Sequence, residues 1–314
     1  MTIDMHCHLF VKQFRNDSYV HPFWDPGQRT SLGLEEAISE SKRRSALRPS
    51  QWDPDGANHI ARMDEAGIEK AVLLHLDYGF LFGEGEITIE QQNLYVSEIA
   101  RRYPDRFLWF CGVDPRRPEA ASLVEKCVTK WGARGIKLYP TTGFLPADRE
   151  VYPLYEMASA WGIPVYFHMG PENPPYRNEG NAHPSLLLRV LVDFPDLKIV
   201  VAHLGFDFWR DLLALGKINK TVMCDFCAWQ RVARRNVQQF CRVLRRFLDE
   251  FGLERVLFGT DAPLLEDIMP SKEWVELVRN LPSRAPSPYR FTDEEVSALL
   301  EGNARRLLAA VPRI

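Results

Sequence analysis

The chain has 314 residues, 39 of them Lys or Arg and 42 Asp or Glu, so its formal net charge is −3. Apolar residues make up 46% and charged residues 26%, which is typical of a soluble globular protein. The charge balance argues against a nucleic acid partner, and no apolar run approaches the length of a membrane span. Because the N-terminal residues lack a basic stretch followed by an apolar one, we expect a cytoplasmic protein with reduced cysteines.

Short apolar segments alternate with helical patterns along the chain. Most of these segments are nearly continuous, as in strands that are buried on both faces of a parallel sheet. The predicted strands are residues 2–6, 70–76, 107–113, 135–139, 164–168, 198–203, 221–226 and 256–260. The predicted helices include residues 56–67, 89–103, 119–131, 152–161, 185–194 and 230–251. Eight strand–helix repeats predict an α/β fold, a (β/α)8 TIM barrel that forms a single domain over residues 1–314.

Two long stretches interrupt this alternation. Residues 9–55 follow the first predicted strand and are rich in proline and aromatic residues, which predicts an insertion that serves as a lid. Residues 262–291 follow the eighth predicted strand and contain several prolines. Both stretches lie where a barrel carries its active-site loops. Thr292 and Glu295 then have the spacing of a capping box, which predicts a helix that continues to about Leu308.

Polar side chains stand where several predicted strands end. His6 and His8 are separated by one residue, so in a strand their imidazoles project to the same face. His168, His203 and Asp261 end the fifth, sixth and eighth predicted strands. Because the C-terminal ends of barrel strands meet at one face, we expect these side chains to converge there. Imidazoles beside a carboxylate are common ligands of a divalent metal.

This ordered set resembles the amidohydrolase superfamily. Nearby phrases are similar to the branch that contains metal-dependent hydrolases and aminocarboxymuconate-semialdehyde-decarboxylase-like enzymes. They are Ile3-Asp-Met-His-Cys-His8, Arg134-Gly-Ile-Lys-Leu138, Phe194-Pro-Asp-Leu-Lys-Ile-Val-Val-Ala-His-Leu-Gly205, Val256-Leu-Phe-Gly-Thr-Asp261 and Gly302-Asn-Ala304. The resemblance extends from residue 3 to about residue 308. It implies the barrel fold and a metal centre, but it does not specify a substrate.

The resemblance also implies a role for each residue of the set. His6, His8 and His168 would bind a divalent metal, with Asp261 as a fourth ligand or as the base beside it. His203 would contact the metal-bound water or a substrate oxygen, or would bind a second metal. We expect one ion rather than two, and zinc before manganese or iron, since imidazole and carboxylate ligands suit all three. Such an ion can lower the pKa of bound water to about 7.

Three further residues are candidates for substrate binding. Lys137 alternates with aliphatic residues in the fourth predicted strand and would point into the barrel. There it could pair with Asp4 or bind a substrate carboxylate. As a carbamylated lysine it could instead bridge two metals, which the mostly mononuclear branch disfavours. Tyr139, the last residue of that predicted strand, and Arg177, in the polar loop after the fifth strand, could contact the substrate.

Two other features near the predicted ligands have simpler interpretations. Cys224 and Cys227 have the spacing of a CxxC pair, but no second pair accompanies them, so we predict structural thiols. Asp4 lies two residues before His6 and could orient a neighbouring ligand through a hydrogen bond.

Three functions remain open from the sequence. The first is a hydrolase that opens an ester, lactone or amide of a small organic acid with metal-activated water. The second is a non-oxidative decarboxylase or hydratase of an aromatic or muconate-like carboxylate, for which arginines within residues 9–55 could bind the carboxylate. The third is a binding protein without catalysis, which the filled polar positions disfavour. The intact His6 and His8 pair favours hydrolysis, since some decarboxylase subgroups place a carboxylate first. The resemblance also implies a small-molecule substrate and a homodimer.

Overall fold

The computed structural model describes residues 1–14, 51–170 and 179–311. The strands are β1 Ile3–Cys7, β2 Lys70–Leu74, β3 Phe107–Gly112, β4 Ile136–Leu138, β5 Val165–Phe167, β6 Ile199–Val201, β7 Val222–Asp225 and β8 Val256–Leu257. The α-helices are α1 Ala57–Ala66, α2 Gly79–Phe82, α3 Ile89–Arg102, α4 Ala120–Thr129, α5 Tyr152–Trp161, α6 Leu187–Asp193, α7 Trp209–Ile218, α8 Gln230–Arg235, α9 Val237–Arg246, α10 Ser271–Arg279, α11 Leu281–Arg284, α12 Asp293–Ser297 and α13 Asn303–Ala309.

The eight strands form one parallel sheet in the order of the sequence. Each strand pairs with the next, and backbone hydrogen bonds join the segment after β8 back to β1. Met5 N donates to Phe258 O at 2.9 Å, and Asp261 N donates to His6 O at 2.7 Å. Helices lie between successive strands, so the predicted TIM barrel is confirmed.

The core has two parts, on the two faces of the sheet. Strand residues of one parity fill the interior of the barrel, among them Met5, Val72 and Tyr166, all fully buried. The residues of the other parity pack against the surrounding helices. Leu307 and Leu308 of α13 pack against the interior cluster. The polar side chains at the C-terminal ends of the strands therefore lie at the opposite, open face.

The helix predicted at residues 230–251 is broken. Asn236 ends α8 and begins α9, because its side chain accepts a hydrogen bond from Gln239 N at 3.0 Å. A π-helical turn at Phe247–Gly252 follows α9. The capping box at Thr292 and Glu295 is confirmed, but the helix that it begins passes through a π-helical turn at Ala298–Gly302 before α13.

The two long stretches differ in what the structure describes. Residues 262–291 are largely ordered around α10 and α11, so this stretch is more helical than its prolines indicate. Of residues 9–55, the structure describes 9–14 and 51–55, and a 3-10 turn at Lys12–Phe14 is their regular element. The predicted lid otherwise lies outside the described residues. Among the described helices, none is long and apolar enough to span a membrane.

Candidate metal and active site

Three polar side chains meet where β1 ends and the chain leaves β8. His6 Nε2 lies 3.2 Å from His8 Nε2, and His8 Nε2 lies 3.1 Å from an Asp261 carboxylate oxygen. The same oxygen is 3.8 Å from His6 Nε2. The backbone fixes this meeting, because Asp261 N donates to His6 O and His8 N donates to Ala262 O. His6 and His8 are thus brought together with Asp261, which lies more than 250 positions later in the sequence.

Hydrogen bonds on the far side of each ring determine where its proton lies. His8 Nδ1 is 2.8 Å from Leu74 O, and a carbonyl oxygen can only accept, so His8 carries its proton on Nδ1. His6 Nδ1 is 2.9 Å from an Asp225 carboxylate oxygen, which places the proton of His6 on Nδ1 as well. Both Nε2 atoms therefore present lone pairs to each other and to the Asp261 carboxylate.

This donor set fits a divalent metal ion. Three lone-pair atoms in buried contact repel one another unless a cation lies among them. Ligands bound at about 2.0–2.2 Å lie roughly 3.0–3.5 Å apart around such an ion, and the shorter two of the three measured distances fall in that range. Burial, then the charge of Lys137, lowers the pKa of His6 well below its usual value, so the imidazole stays neutral. His6, His8 and Asp261 could together hold one ion.

Two buried carboxylates orient this set from behind. One Asp225 oxygen accepts from His203 N and Cys227 N, both at 2.9 Å, and the other accepts from His6 Nδ1 and the Tyr166 hydroxyl. Asp4 accepts from His6 N at 3.0 Å and from Thr260. Asp4 thus ties β1 to the residue before Asp261, in agreement with the orienting role expected for it.

His168 and His203 form a second pair at the same face. His203 Nε2 lies 3.2 Å from His168 Nδ1. Among the described residues, His168 is not part of the group in which His6, His8 and Asp261 face one another. Its role as a metal ligand remains a prediction. Burial, then the neighbouring His168, lowers the pKa of His203 well below its usual value.

The backbone around these residues is strained. His203, Leu204 and Phe206 have φ values of 62°, 50° and 46°, and Asp261 has 57°. Residues other than glycine rarely adopt this left-handed backbone conformation, and such strain tends to occur at functional sites. The His203 backbone is held there because Asp225 accepts from its N–H and Trp229 Nε1 donates to its carbonyl at 2.7 Å.

One cavity connects the two groups of polar residues. It encloses about 350 Å³, including the part open to solvent. Its walls are His6, His8, Leu76, Tyr78, Lys137, Tyr139, His168, His203, Phe206, Asp261 and Leu264. Lys137 is buried, with Nζ 5.0 Å from the centre of the Tyr166 ring, and the Tyr139 ring lies 4.3 Å from that of His168. Most of the predicted site residues therefore line a single cavity with aromatic and aliphatic walls.

The sequence analysis missed several residues of this site, and one residue that it predicted lies outside the described part of the chain. Asp225 ends β7 as Asp261 follows β8, so the same strand-end criterion applies to it. Tyr78 and Phe206 line the cavity but carry no pattern that distinguishes them from other loop aromatics. Arg177 lies outside the described residues, as do the arginines of residues 15–50.

Known proteins with a related sequence or the same fold include decarboxylases. A gamma-resorcylate decarboxylase from Polaromonas sp. is 25% identical over 265 residues, which cover 69% of this chain and 79% of that protein. The structure of 5-carboxyvanillate decarboxylase from Novosphingobium aromaticivorans, complexed with manganese and 4-hydroxy-3-methoxy-5-nitrobenzoic acid, matches with a TM-score of 0.68 and 15% identity, covering 98% of this chain and 96% of that one.

A structure described as a probable hydrolase shares the fold to a similar degree. The structure of a probable 2-pyrone-4,6-dicarboxylic acid hydrolase from Acinetobacter baumannii, with citric acid bound, matches with a TM-score of 0.66 and 15% identity. It covers 98% of this chain and 99% of that one. The family model described as Amidohydrolase matches residues 3–309. The chain therefore belongs to the amidohydrolase family.

Proposed function

We propose that the protein is a metal-dependent decarboxylase of a small aromatic carboxylic acid. The observation that carries the proposal is the cluster of unprotonated, metal-binding atoms of His6, His8 and Asp261 in a cavity that aromatic side chains help to line. The gamma-resorcylate decarboxylase that is 25% identical to this chain favours this chemistry over hydrolysis. The hydrolysis that the intact His6 and His8 pair favours from sequence therefore becomes the alternative.

We propose that His6, His8 and Asp261 hold one divalent ion, with His168 completing the set. Manganese replaces zinc as the proposed metal, because the carboxyvanillate decarboxylase structure contains manganese. The ion, when bound, supplies a Lewis acid that binds substrate oxygens and withdraws electron density from the ring.

The chain's own residues would bind the acid and move one proton. Lys137 provides a buried cation in the cavity wall and would pair with the substrate anion. Tyr139 would pack beside the ring, and Arg177 stays a candidate for the same anion. The bond between the ring and the carboxyl carbon breaks, its electron pair remains on the ring carbon, and CO₂ leaves. Asp261 would then take up a proton from solvent and transfer it to that ring carbon to form the new C–H bond, while His203 would hydrogen-bond a substrate oxygen.

Product analysis tests this proposal. The purified protein with added Mn²⁺ would be incubated with a panel of hydroxylated benzoates labelled with ¹³C in the carboxyl group. We expect labelled CO₂ and, in D₂O, one deuterium on the ring carbon that lost it. Asp261→Asn should abolish both the release of labelled CO₂ and the incorporation of deuterium. Asp196→Asn, an exposed aspartate before β6 at the other end of the barrel, is the matched control.

The alternative would give different products. In H₂¹⁸O a hydrolase would place solvent oxygen in the product of an ester or lactone and would release no CO₂. Oxygen incorporation from such substrates, with no labelled CO₂ from any benzoate, would overturn the decarboxylase proposal.

The proposal extends to the domain organisation, the oligomeric state and the cellular location of the protein. We propose a single domain over residues 1–314, a homodimer and a cytoplasmic location. Light scattering on the purified protein gives the mass of the assembly, and limited proteolysis reports whether any segment folds separately. A monomer in solution would contradict the dimer.

A further inference from the structure

We propose that Cys227 positions His203 by fixing which ring nitrogen carries the proton, so that Nε2–H faces the cavity. This inference deepens the proposed function and rests on it only where His203 contacts the substrate. It replaces the prediction that Cys227 is a structural thiol.

Cys227 lies between two rings of the site. It follows β7 by two residues, and its sulfur is 3.1 Å from His6 Nδ1 and 3.0 Å from His203 Nδ1. All three side chains are buried, and the two ring centres are 4.9 Å apart with planes inclined by 34°. Cys227 N also donates to Asp225, which fixes the backbone that carries the thiol. The sulfur therefore contacts one ring of the metal set and the ring of His203.

The hydrogen bonds favour one arrangement of protons. His6 Nδ1 already carries its proton, because it donates to the Asp225 carboxylate at 2.9 Å. It has no lone pair left for the thiol, so of these two rings only His203 can accept the Cys227 S–H. The neighbouring Asp225 carboxylate already accepts from four other donors, so we assign the S–H to His203 Nδ1. His203 Nδ1 is then an acceptor, and the ring proton of a neutral imidazole must lie on Nε2. His203 Nε2 is the atom that lies 3.2 Å from His168 Nδ1 at the cavity wall.

Apart from the His168 ring at Nε2, the ring's other surroundings fix its orientation but not its tautomer. The Phe206 ring stacks on His203 with centres 4.5 Å apart and planes inclined by 19°. The His203 backbone is held by Asp225 and by Trp229. None of these contacts reaches Nδ1. Cys227 is therefore the described side chain that assigns a hydrogen-bonding role to that nitrogen.

The same four side chains could be taken for a second metal site. His6, His203, Asp225 and Cys227 bring their donor atoms within 4.8 Å of one another. The Asp225 oxygens, however, already accept from two backbone N–H groups, the Tyr166 hydroxyl and His6 Nδ1. His6 Nδ1 carries a proton and cannot be a ligand at the same time. The group is therefore a closed hydrogen-bond cluster.

The test compares Cys227→Ala, which removes the donor, with Cys227→Ser, which retains one. Cys241→Ala is the matched control, since Cys241 is also fully buried but lies on α9 away from the cavity. In the decarboxylase assay we expect Cys227→Ala to lower kcat about tenfold, the effect of one ordinary hydrogen bond. We expect KM and metal content per chain to stay unchanged, Cys227→Ser to restore most of kcat, and Cys241→Ala to leave kcat unaltered.

Ring ¹⁵N NMR of histidine-labelled protein gives a readout that does not depend on activity. His203, assigned by its absence in His203→Gln, should show a protonated Nε2 in the wild type and in Cys227→Ser. In Cys227→Ala the proton should distribute over both nitrogens. An unchanged tautomer in Cys227→Ala would overturn the inference even if the protein proved to be a hydrolase. Loss of bound metal in both Cys227 variants would also overturn it, because Cys227 would then be a ligand.

Discussion

At the scale of single residues, this site depends on where protons lie. His6 and His8 present bare Nε2 atoms because an oxygen that can only accept lies beside each Nδ1. For His8 that oxygen is a backbone carbonyl, which no substitution of a side chain removes. For His6 it belongs to Asp225, so the tautomer of His6 can be tested by mutation.

Asp225→Asn should weaken metal binding without removing a ligand. The asparagine amide cannot accept from all four donors that the carboxylate serves, so His6 Nδ1 loses its partner. Loss of an orienting partner lowers metal affinity about 10–100-fold. Titration with Mn²⁺, with the free ion followed by electron paramagnetic resonance, measures this change. Asp196→Asn is the control, and an unaltered affinity in folded Asp225→Asn would show that Asp225 does not act through His6.

His59 should make the protein sensitive to acid. Burial lowers the pKa of His59 to about 3, and the charge of Arg62 acts in the same direction. The unfolded chain binds a proton near pH 6.5 while the folded protein does not, so stability is lost as pH falls from about 6.5 towards 3. Between pH 7 and pH 5 this group should cost about 2 kcal/mol of the free energy of unfolding.

Denaturant unfolding at both pH values tests the role of His59. Between pH 7 and pH 5, the free energy of unfolding of His59→Leu should fall by about 2 kcal/mol less than that of the wild type. The substitution removes no hydrogen bond at His59 Nδ1, since this atom has no hydrogen-bond partner among the described residues. Equal losses in the two proteins would mean that His59 is protonated in the folded state.

Residues of the site differ in how far the sequence could predict them. His6, His8, His168, His203 and Asp261 are polar groups at the ends of apolar strands, and all five line the cavity. Cys227 could not be assigned in this way. Its function depends on a 3.0 Å contact with a ring 24 positions away, and the CxxC spacing with Cys224 points to a different chemistry.

At the scale of elements, the start of α12 is fixed by local chemistry. Thr292 Oγ1 accepts from Glu295 N at 3.1 Å, and the Glu295 carboxylate accepts from Thr292 N at 3.0 Å. Arg245 of α9 donates to the same carboxylate, which joins α9 to α12. Such a pattern is visible in sequence because all but the last contact lie within four residues.

Thr292→Ala should lower the free energy of unfolding by about 1 kcal/mol, because the first N–H groups of α12 lose an acceptor. The catalytic face should be unaffected, so metal content should not change. Thr129→Ala is a useful control, since the Thr129 hydroxyl donates to Glu125 O within the last turn of α4 and caps no N-terminus. Chemical denaturation measures both variants, and equal midpoints would argue that the capping box is not formed in solution.

The helix boundaries that sequence missed have tertiary causes. Residues 230–251 read as one helix because their apolar spacing continues across Asn236. The break occurs because the Asn236 side chain caps a new helix. The π-helical turn at Ala298–Gly302 precedes α13, whose Asn303 donates to Leu253 O and Val256 O at 2.7 Å. These contacts with the β8 segment join residues about 50 positions apart, which no local pattern reports.

At the scale of the molecule, the barrel separates stability from chemistry. α13 packs against the interior cluster, whereas His6, His8 and Asp261 line the open cavity. Hydrophobic periodicity predicts this arrangement, because eight buried parallel strands have few ways to close. The shape of the cavity cannot be predicted in the same manner, since it depends on loop aromatics such as Tyr78 and Phe206.

Metal removal should therefore lower the stability of the whole barrel through this one face. β1 and the segment after β8 contribute the proposed ligands, so a bound ion joins the first strand to the last. A ligand at a hundred times its dissociation constant stabilises the folded state by about 2.7 kcal/mol, or roughly 4 °C in Tm for a chain of this length. Chelation should lower Tm by this amount and added Mn²⁺ should restore it. His8→Ala should not respond to either treatment, and an equal response in that variant would place the ion elsewhere.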